Sequence, residues 1–295
     1  MAGSGTGGDP DGPRHAALVS VAMLALQAGD LQAARSGFRQ VLDEDIEHPD
    51  ALHGMGLFAR AVGRLETAAD LIRKAIRGNP RGAGYWSNLG IVLQDLERWD
   101  EAAEAHAQAL RLRPDHPGVR RNLGCALDVL GRSREAVPHL REALRLDPGS
   151  ADIAANYATV LSRIGEFGSA DRYFRQAMSK APDNAVTRFN YAAHLLAAGR
   201  WSEGWVLYEA RRRTPAWRGS LRRLPVTEDL PDPLAGCRVF LHCEQGIGDE
   251  LRFATMVSEL AERGAEVTLE TSAKLQALLA RSLPTVRVVA APFTA

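Results

Sequence analysis

The sequence has no charge of one sign to spare. Lys and Arg number 36, Asp and Glu number 36, and the formal charge at pH 7 is zero. That removes the electrostatic argument for a nucleic-acid partner or an anionic membrane surface. Cysteine is scarce: Cys125, Cys237 and Cys243 are too few and too irregular for a disulfide framework or a zinc site. They read as free thiols in a reducing compartment. No apolar run approaches the roughly 20 residues that span a bilayer. The N-terminus, MAGSGTGGDPDGPR, is Gly-rich and lacks the apolar core of a signal peptide. Residues 1–14 therefore read as a disordered leader, and the expected compartment is the cytoplasm.

What the sequence has is a period. Pro80, Pro114, Pro148 and Pro182 stand 34 residues apart, and Gly56, Gly90 and Gly124 keep the same interval, continued by Ala158 and Ala192. Ala68, Ala102, Ala136 and Ala170 form a third column; Ala75, Ala109, Ala143 and Ala177 form a fourth. Four columns in one register predict a stack of helical hairpins, each too small to bury its apolar face alone. The small residues mark close helix–helix contacts, and the prolines end each second helix. Gly63, Gly131, Gly165 and Gly199 fall at the turn inside each hairpin, where a left-handed backbone favours glycine. Glu97 stands there in the third repeat, which implies a different turn. The first repeat is atypical, with Ile46 in the proline column. Pro138, one turn into a second helix, is expected to kink or delay it.

A period of 34 in this order of small, small and proline is the tetratricopeptide repeat signature. About six such repeats are expected over residues 15–213, so the fold class is mainly α, an α-solenoid. Residues 214–236 read as a linker, and six arginines at 211, 212, 213, 218, 222 and 223 make residues 211–236 basic. It is either a solvated connector or an anion site. From residue 237 to 295 the pattern becomes strand–helix–strand–helix–strand, a partial Rossmann-like unit with a parallel sheet of the doubly wound kind. Thr271 or Ser272 is expected to cap its second helix. Ligands in such sheets bind beyond the carboxyl ends of the strands, which places the turn Glu244, Gln245, Gly246, Ile247 and Gly248 there as a candidate ligand loop.

The N-L-G and N-Y-A triplets of the repeats resemble those of bacterial O-linked N-acetylglucosamine transferase-like proteins. The stretch GWVLYEARRR followed by LAGCRVFLHCEQGIGDELRFATMVSELAERGAEVTLE resembles the junction to a heptosyltransferase-like domain of the two-lobed GT-B glycosyltransferase fold. The resemblance implies transfer of a sugar from a nucleotide-sugar to a protein acceptor. It also makes Asp249 the match to a general base; the alternative is a helix cap at the start of a helix opening at Glu250. The second lobe, which carries most of the nucleotide-sugar site in that family, falls outside this sequence. No cofactor is expected without it, and this chain alone is expected to transfer no sugar.

One further column carries chemistry. Asn88, Asn122, Asn156 and Asn190 stand two residues before the small residue of each first helix. Asn has no strong helix preference to place it there. A primary amide offers donor and acceptor together, which suits a peptide bond whatever its side chains. In the resembled transferases such a ladder grips an extended substrate. The expected function is thus a scaffold-like groove that binds a protein or peptide; the alternative is an active glycosyltransferase. A carboxylate clamp is disfavoured, because the neighbouring column reads His53, Ser87, Arg121, Ala155 and Phe189, without lysine. His106 reads as a core histidine, and no residues show metal-ligand spacing.

Overall fold

A computed structural model describes residues 12–215, 230–242 and 247–291. They fall into two compact units, one ending at Arg211 and one beginning at Arg212. The first consists of helices α1 (Gly12–Gln27), α2 (Leu31–Glu44), α3 (Pro49–Ala61), α4 (Leu65–Gly78), α5 (Ala83–Asp95), α6 (Trp99–Leu112), α7 (Pro117–Val129), α8 (Ser133–Leu146), α9 (Ala151–Arg163), α10 (Phe167–Lys180), α11 (Ala185–Ala197) and α12 (Trp201–Tyr208). A 3-10 turn, Glu209–Arg213, follows α12. Odd-numbered helices are the first (A) and even-numbered the second (B) of each hairpin.

The small columns are contacts. A methyl group added at Gly56 would sit 2.5 Å from Ile72, at Gly90 2.5 Å from the His106 ring, and at Gly124 2.6 Å from Leu140. In each hairpin the bulky B-helix residue lies directly on the A-helix glycine, so any side chain there would force the axes apart. Helices α4, α6, α8 and α10 each end two residues before the proline of their repeat. The core runs along the stack as three successive clusters, with Phe38, Ile72, Leu140 and Phe174 fully buried along one B-helix column.

Three expectations need correction in this unit. The helix begins at Gly12, so residues 12–14 belong to α1 rather than to a leader. Proline is tolerated in a first turn, where its missing N–H has no partner to lose, and Arg14 pairs with Glu44 at 2.9 Å. Pro138 does not delay α8, which opens at Ser133 and has the same 14 residues as α4, α6 and α10. A single lost ladder bond is absorbed by the packing of α8 on both neighbours. Glu97 does not find another turn. Its φ is 59°, in the left-handed region occupied by Gly63 at 77° and Gly131 at 75°. The hairpin packing dictates the turn, and the exposed glutamate bears the strain.

That strain supports a prediction. A left-handed backbone costs a non-glycine residue about 1–2 kcal/mol, and glycine gives back part of this through a freer unfolded chain, about 0.4–1 kcal/mol. Glu97→Gly is therefore expected to stabilise the protein by up to about 1 kcal/mol. Chemical denaturation checks it; a lowered midpoint means the turn is not strained.

The second unit holds β1 (Arg238–Leu241), α13 (Ile247–Glu262), β2 (Glu266–Thr271), α14 (Gln276–Ser282) and β3 (Arg287–Ala290). The three strands are parallel in the order β1–β2–β3. Among the described residues the order runs one way, without the reversal that makes a sheet doubly wound. Val257, Val267, Leu269, Leu279 and Val286 form its core. Neither Thr271 nor Ser272 caps α14, which opens after Leu275. Thr271 ends β2, and its hydroxyl donates to Glu250 Oε2 at 2.7 Å; the Ser272 N–H donates to the same oxygen at 2.9 Å. One carboxylate thus ties α13 to the end of β2.

Candidate functional site: the A-helix groove

Consecutive A helices touch one another along the stack: α1 with α3, α3 with α5, α5 with α7, α7 with α9, and α9 with α11. Among the described residues no two consecutive B helices meet to that extent. The A helices therefore lie on the inner side of the curve and line a groove, as expected for superhelical hairpin stacks.

Polar pairs tie neighbouring A helices across this surface. Tyr85 donates its hydroxyl to Asp50, Asn88 meets His53 at 2.8 Å, and Arg60 pairs with Asp95 at 2.5 Å, each pair 35 residues apart. Arg163 pairs with Asp128 at 3.1 Å, and Asp128 also accepts from the Ser133 hydroxyl at 2.7 Å. An exposed ion pair such as Arg60–Asp95 adds little stability singly, and the other contacts are part-buried. Repeated from helix to helix, they fix the spacing of the inner surface and pre-organise it for a ligand.

All four ladder asparagines are half-buried on A helices, but they are not equivalent. Asn88 Nδ2 can only donate, so His53 Nε2 accepts and its ring is neutral. Burial supports this, pushing the His53 pKa down to about 4. Asn122 Oδ1 accepts from Arg121 Nη2 at 3.0 Å and Nε at 3.3 Å. The amides of Asn156 and Asn190 have no hydrogen-bond partner among the described residues. Two rungs are thus half engaged and two are open. The ladder has no rung in the second repeat, where Gly54 takes the place: a methyl group there would lie 2.2 Å from the Phe38 ring.

The clamp-like column also has its explanation. His53 is buried and neutral, and Arg121 is occupied by Asn122, with Asp152 at 4.0 Å. Neither offers a free charge. His106 is fully buried, and neither ring nitrogen has a partner. Burial lowers its pKa to about 4. It is a core residue, and no group of three or more His, Cys, Asp or Glu among the described residues could hold a metal. Cys125 is free, and burial raises its thiol to about 11, which leaves it unreactive near neutral pH. No helix among the described residues is long and apolar enough to cross a membrane.

Sequence reasoning missed one feature of this face. A cavity of about 190 Å³ lies between α5, the end of α6 and the start of α7, lined in part by Ser87, Asn88, Arg113 and His116. The available signal was the pair of small residues Ala83 and Gly84, which line the cavity beside the first rung.

In the second unit, Glu244, Gln245 and Gly246 lie outside the described residues. Gly248 and Asp249 fall in the first turn of α13, which opens at Ile247. Asp249 is thus inside the helix rather than its cap. The Asp249 side chain lies outside the described atoms.

Tetratricopeptide repeat families match residues 22–84 and 83–149. Residues 22–149 are thus tetratricopeptide repeats. Both matches lie within the hairpins, so the resemblance of residues 237–295 to a glycosyltransferase lobe rests on their sequence motifs alone. Protein FlbA of Caulobacter vibrioides is 37% identical over 100 residues, 32% of this chain and 17% of its own length. Cellulose synthase operon protein C of Komagataeibacter xylinus is 36% identical over 80 residues, 27% of this chain and 6% of its own length. The tetratricopeptide chain thus spans a small fraction of either relative. Among solved structures, pilF of Pseudomonas aeruginosa superposes with a TM-score of 0.60 at 21% identity, covering 70% of this chain and 93% of that one. A tetratricopeptide repeat protein of Parabacteroides merdae gives 0.57 at 17% identity, covering 67% and 78%. YrrB, a TPR protein with an unusual peptide-binding site, gives 0.51 at 19% identity, covering 60% and 91%. At these identities they establish the fold.

Proposed function

We propose that the protein is an interaction module whose A-helix groove holds an extended peptide segment by its backbone. The observation that carries this reading is the pair of open amides, Asn156 and Asn190, at matching positions on neighbouring A helices. Packed helices lie about 8–10 Å apart. An extended chain rises about 3.3 Å per residue, so successive rungs fall about three residues apart along a bound strand. Each amide can donate to a peptide carbonyl and accept from a peptide N–H. The peptide-binding site of YrrB, on the same fold, agrees with this use of the stack.

The reading makes an asymmetric prediction. Replacing Asn156 and Asn190 together with Ala should weaken binding of a selected peptide by about 1–3 kcal/mol, two hydrogen bonds' worth. Replacing Asn88 and Asn122 together should cost less, because each already spends part of its capacity on His53 or Arg121. The loss should be similar for peptides of different sequence. Calorimetric titration with peptides selected from a random library decides it. Equal affinity for the Asn156/Asn190 variant and the parent would make the ladder structural.

A second reading has one observation in its favour. The sequential parallel order β1–β2–β3 is the order of half a nucleotide-binding lobe, and α13 with Asp249 follows β1 directly. On this reading the second unit belongs to a glycosyltransferase whose remaining lobe is supplied elsewhere. Mass spectrometry of a bound peptide after incubation with nucleotide-sugars separates the two. Sugar transfer abolished by Asp249→Ala would favour the enzyme.

A further inference from the structure

The cavity beside the first rung is too small for a drug-sized ligand or cofactor, whose sites run from about 300 to 1,000 Å³. Its roughly 190 Å³ suits one side chain or one chain end. Its chemistry is one-sided. Ser87 brings a hydroxyl, Asn88 an amide, Arg113 a guanidinium and His116 an imidazole, and no acidic residue lines it. Arg113 is exposed, and its guanidinium makes no hydrogen bond or ion pair among the described residues. His116 accepts the Val119 backbone N–H on Nδ1 at 3.3 Å as the cap of α7. That leaves the ring proton on Nε2, so His116 meets the cavity as a donor. Asp115 lies between Arg113 and His116 in the chain but does not line the cavity. Gly84 keeps the cavity open: a methyl group built there has nothing within 4 Å.

From this arrangement we infer that the cavity is a carboxylate subsite, which takes an acidic side chain or the terminal carboxylate of the peptide held on the ladder. The identity of the ligand as a peptide rests on the proposed function; the preference for a carboxylate rests on the cavity alone. A carboxylate is acceptor-only and matches the donors of Arg113 and His116, with the Ser87 hydroxyl able to donate as well. An arginine without an internal partner is the side chain best suited to grip it with two parallel hydrogen bonds. The position also fits the ladder, because the cavity shares Asn88 with it and no rung stands in the repeat before. An acidic group seated there would set the register of the strand running toward Asn156 and Asn190.

The test uses the full chain, with N-acetyl-glutamate N-methylamide and N-acetyl-alanine as carboxylate probes and N-acetyl-glutamine N-methylamide as the uncharged match. In an NMR titration, at least one carboxylate probe should shift the backbone amides of Gly84, Ser87 and Asn88, and the glutamine probe should not. The two carboxylate probes separate a side-chain ligand from a chain end. Arg113→Gln should weaken the response about tenfold, as loss of a charge-assisted hydrogen bond implies. Gly84→Leu, which fills open space without a clash, should abolish it. Equal response to the glutamate and glutamine probes, shifts elsewhere on the protein, or full response in both variants overturns the assignment. A random-peptide selection on the parent and on Arg113→Gln runs beside it. Peptides that bind without an acidic preference, together with silent carboxylate probes, remove the subsite and leave the groove reading standing. A carboxylate response at the cavity with no peptide selected removes the groove reading and leaves the subsite.

Discussion

Replacing His106 by leucine is expected to stabilise the protein, most of all in mild acid. The imidazole is fully buried, and both ring nitrogens are without hydrogen-bond partners. Burying polar atoms unpaired costs about 1–3 kcal/mol. Leucine already fills the matching place one repeat later, where Leu140 lies on Gly124 as His106 lies on Gly90, so the substitution meets a site of known shape. The acid effect adds to this. The pKa of His106 is about 4 in the fold against 6.5 for the free side chain. Below pH 6.5 the unfolded chain therefore binds a proton that the folded chain refuses. Stability contributed by the neutral ring is complete above 6.5 and is lost as pH falls through 4. At pH 4.5 the loss from this one residue is about 2.5 kcal/mol. His53, lowered by burial to about 4, adds a loss of the same sign. Hydrogen bonds from Arg98 to Glu101 and from Arg132 to Glu135 hold those carboxyls below their ordinary value. Urea denaturation of parent and His106→Leu at pH 7 and pH 4.5 reads both effects. The variant should be more stable at neutral pH, with the gap widening in acid. A gap that does not widen would mean the ring is protonated inside the fold.

The hairpin stack was legible because its causes are local and repeated. A glycine under a bulky residue recurs at Gly56, Gly90 and Gly124, and a proline two residues after α4, α6, α8 and α10 needs no long-range information. Where tertiary packing overrode local preference, the sequence misled. Glu97 takes a glycine's backbone because the hairpin leaves no other turn, and Pro138 sits inside an unbroken helix. The C-terminal unit shows the same limit. Thr271 and Ser272 looked like caps by type, but the Glu250 carboxylate, about twenty residues away in sequence, claims both. The ladder was visible as a column of four asparagines. Its asymmetry was not, since His53 and Arg121 become partners only once α3 and α7 are in place. The cavity at Arg113 and His116 left only the small residues Ala83 and Gly84 as a trace, because a hollow is a property of three elements together.

The opposite kind of substitution, Phe174→Ala, is expected to cost the most and to act at a distance. Phe174 is fully buried, stacks on Tyr191 with ring centres 5.1 Å apart and lies 5.3 Å from the His194 ring. Truncating a buried phenylalanine costs about 3–5 kcal/mol through lost burial and the cavity left behind. In a compact globular core that loss would spread through the whole domain. In a stack, each hairpin contacts only its neighbours, so stability is close to a sum of local terms. The fraying should therefore concentrate in α9 to α12, where Phe174, Tyr191 and His194 sit, and leave α3 to α6 closed. Hydrogen exchange resolved by segment is the measurement. Protection should fall in residues 151–208 and persist in residues 49–112. A uniform loss from α1 to α12 would mean that the stack unfolds as one unit. The same variant tests the groove without touching it, because Asn156 and Asn190 ride on α9 and α11. If those two amides hold the peptide, Phe174→Ala should lower affinity in step with the fraction of molecules whose last hairpins are open. The carboxylate response at Arg113, between α5 and α7, should remain intact. Binding that survives the opening of α9 to α12 would move the peptide site to the N-terminal half of the groove.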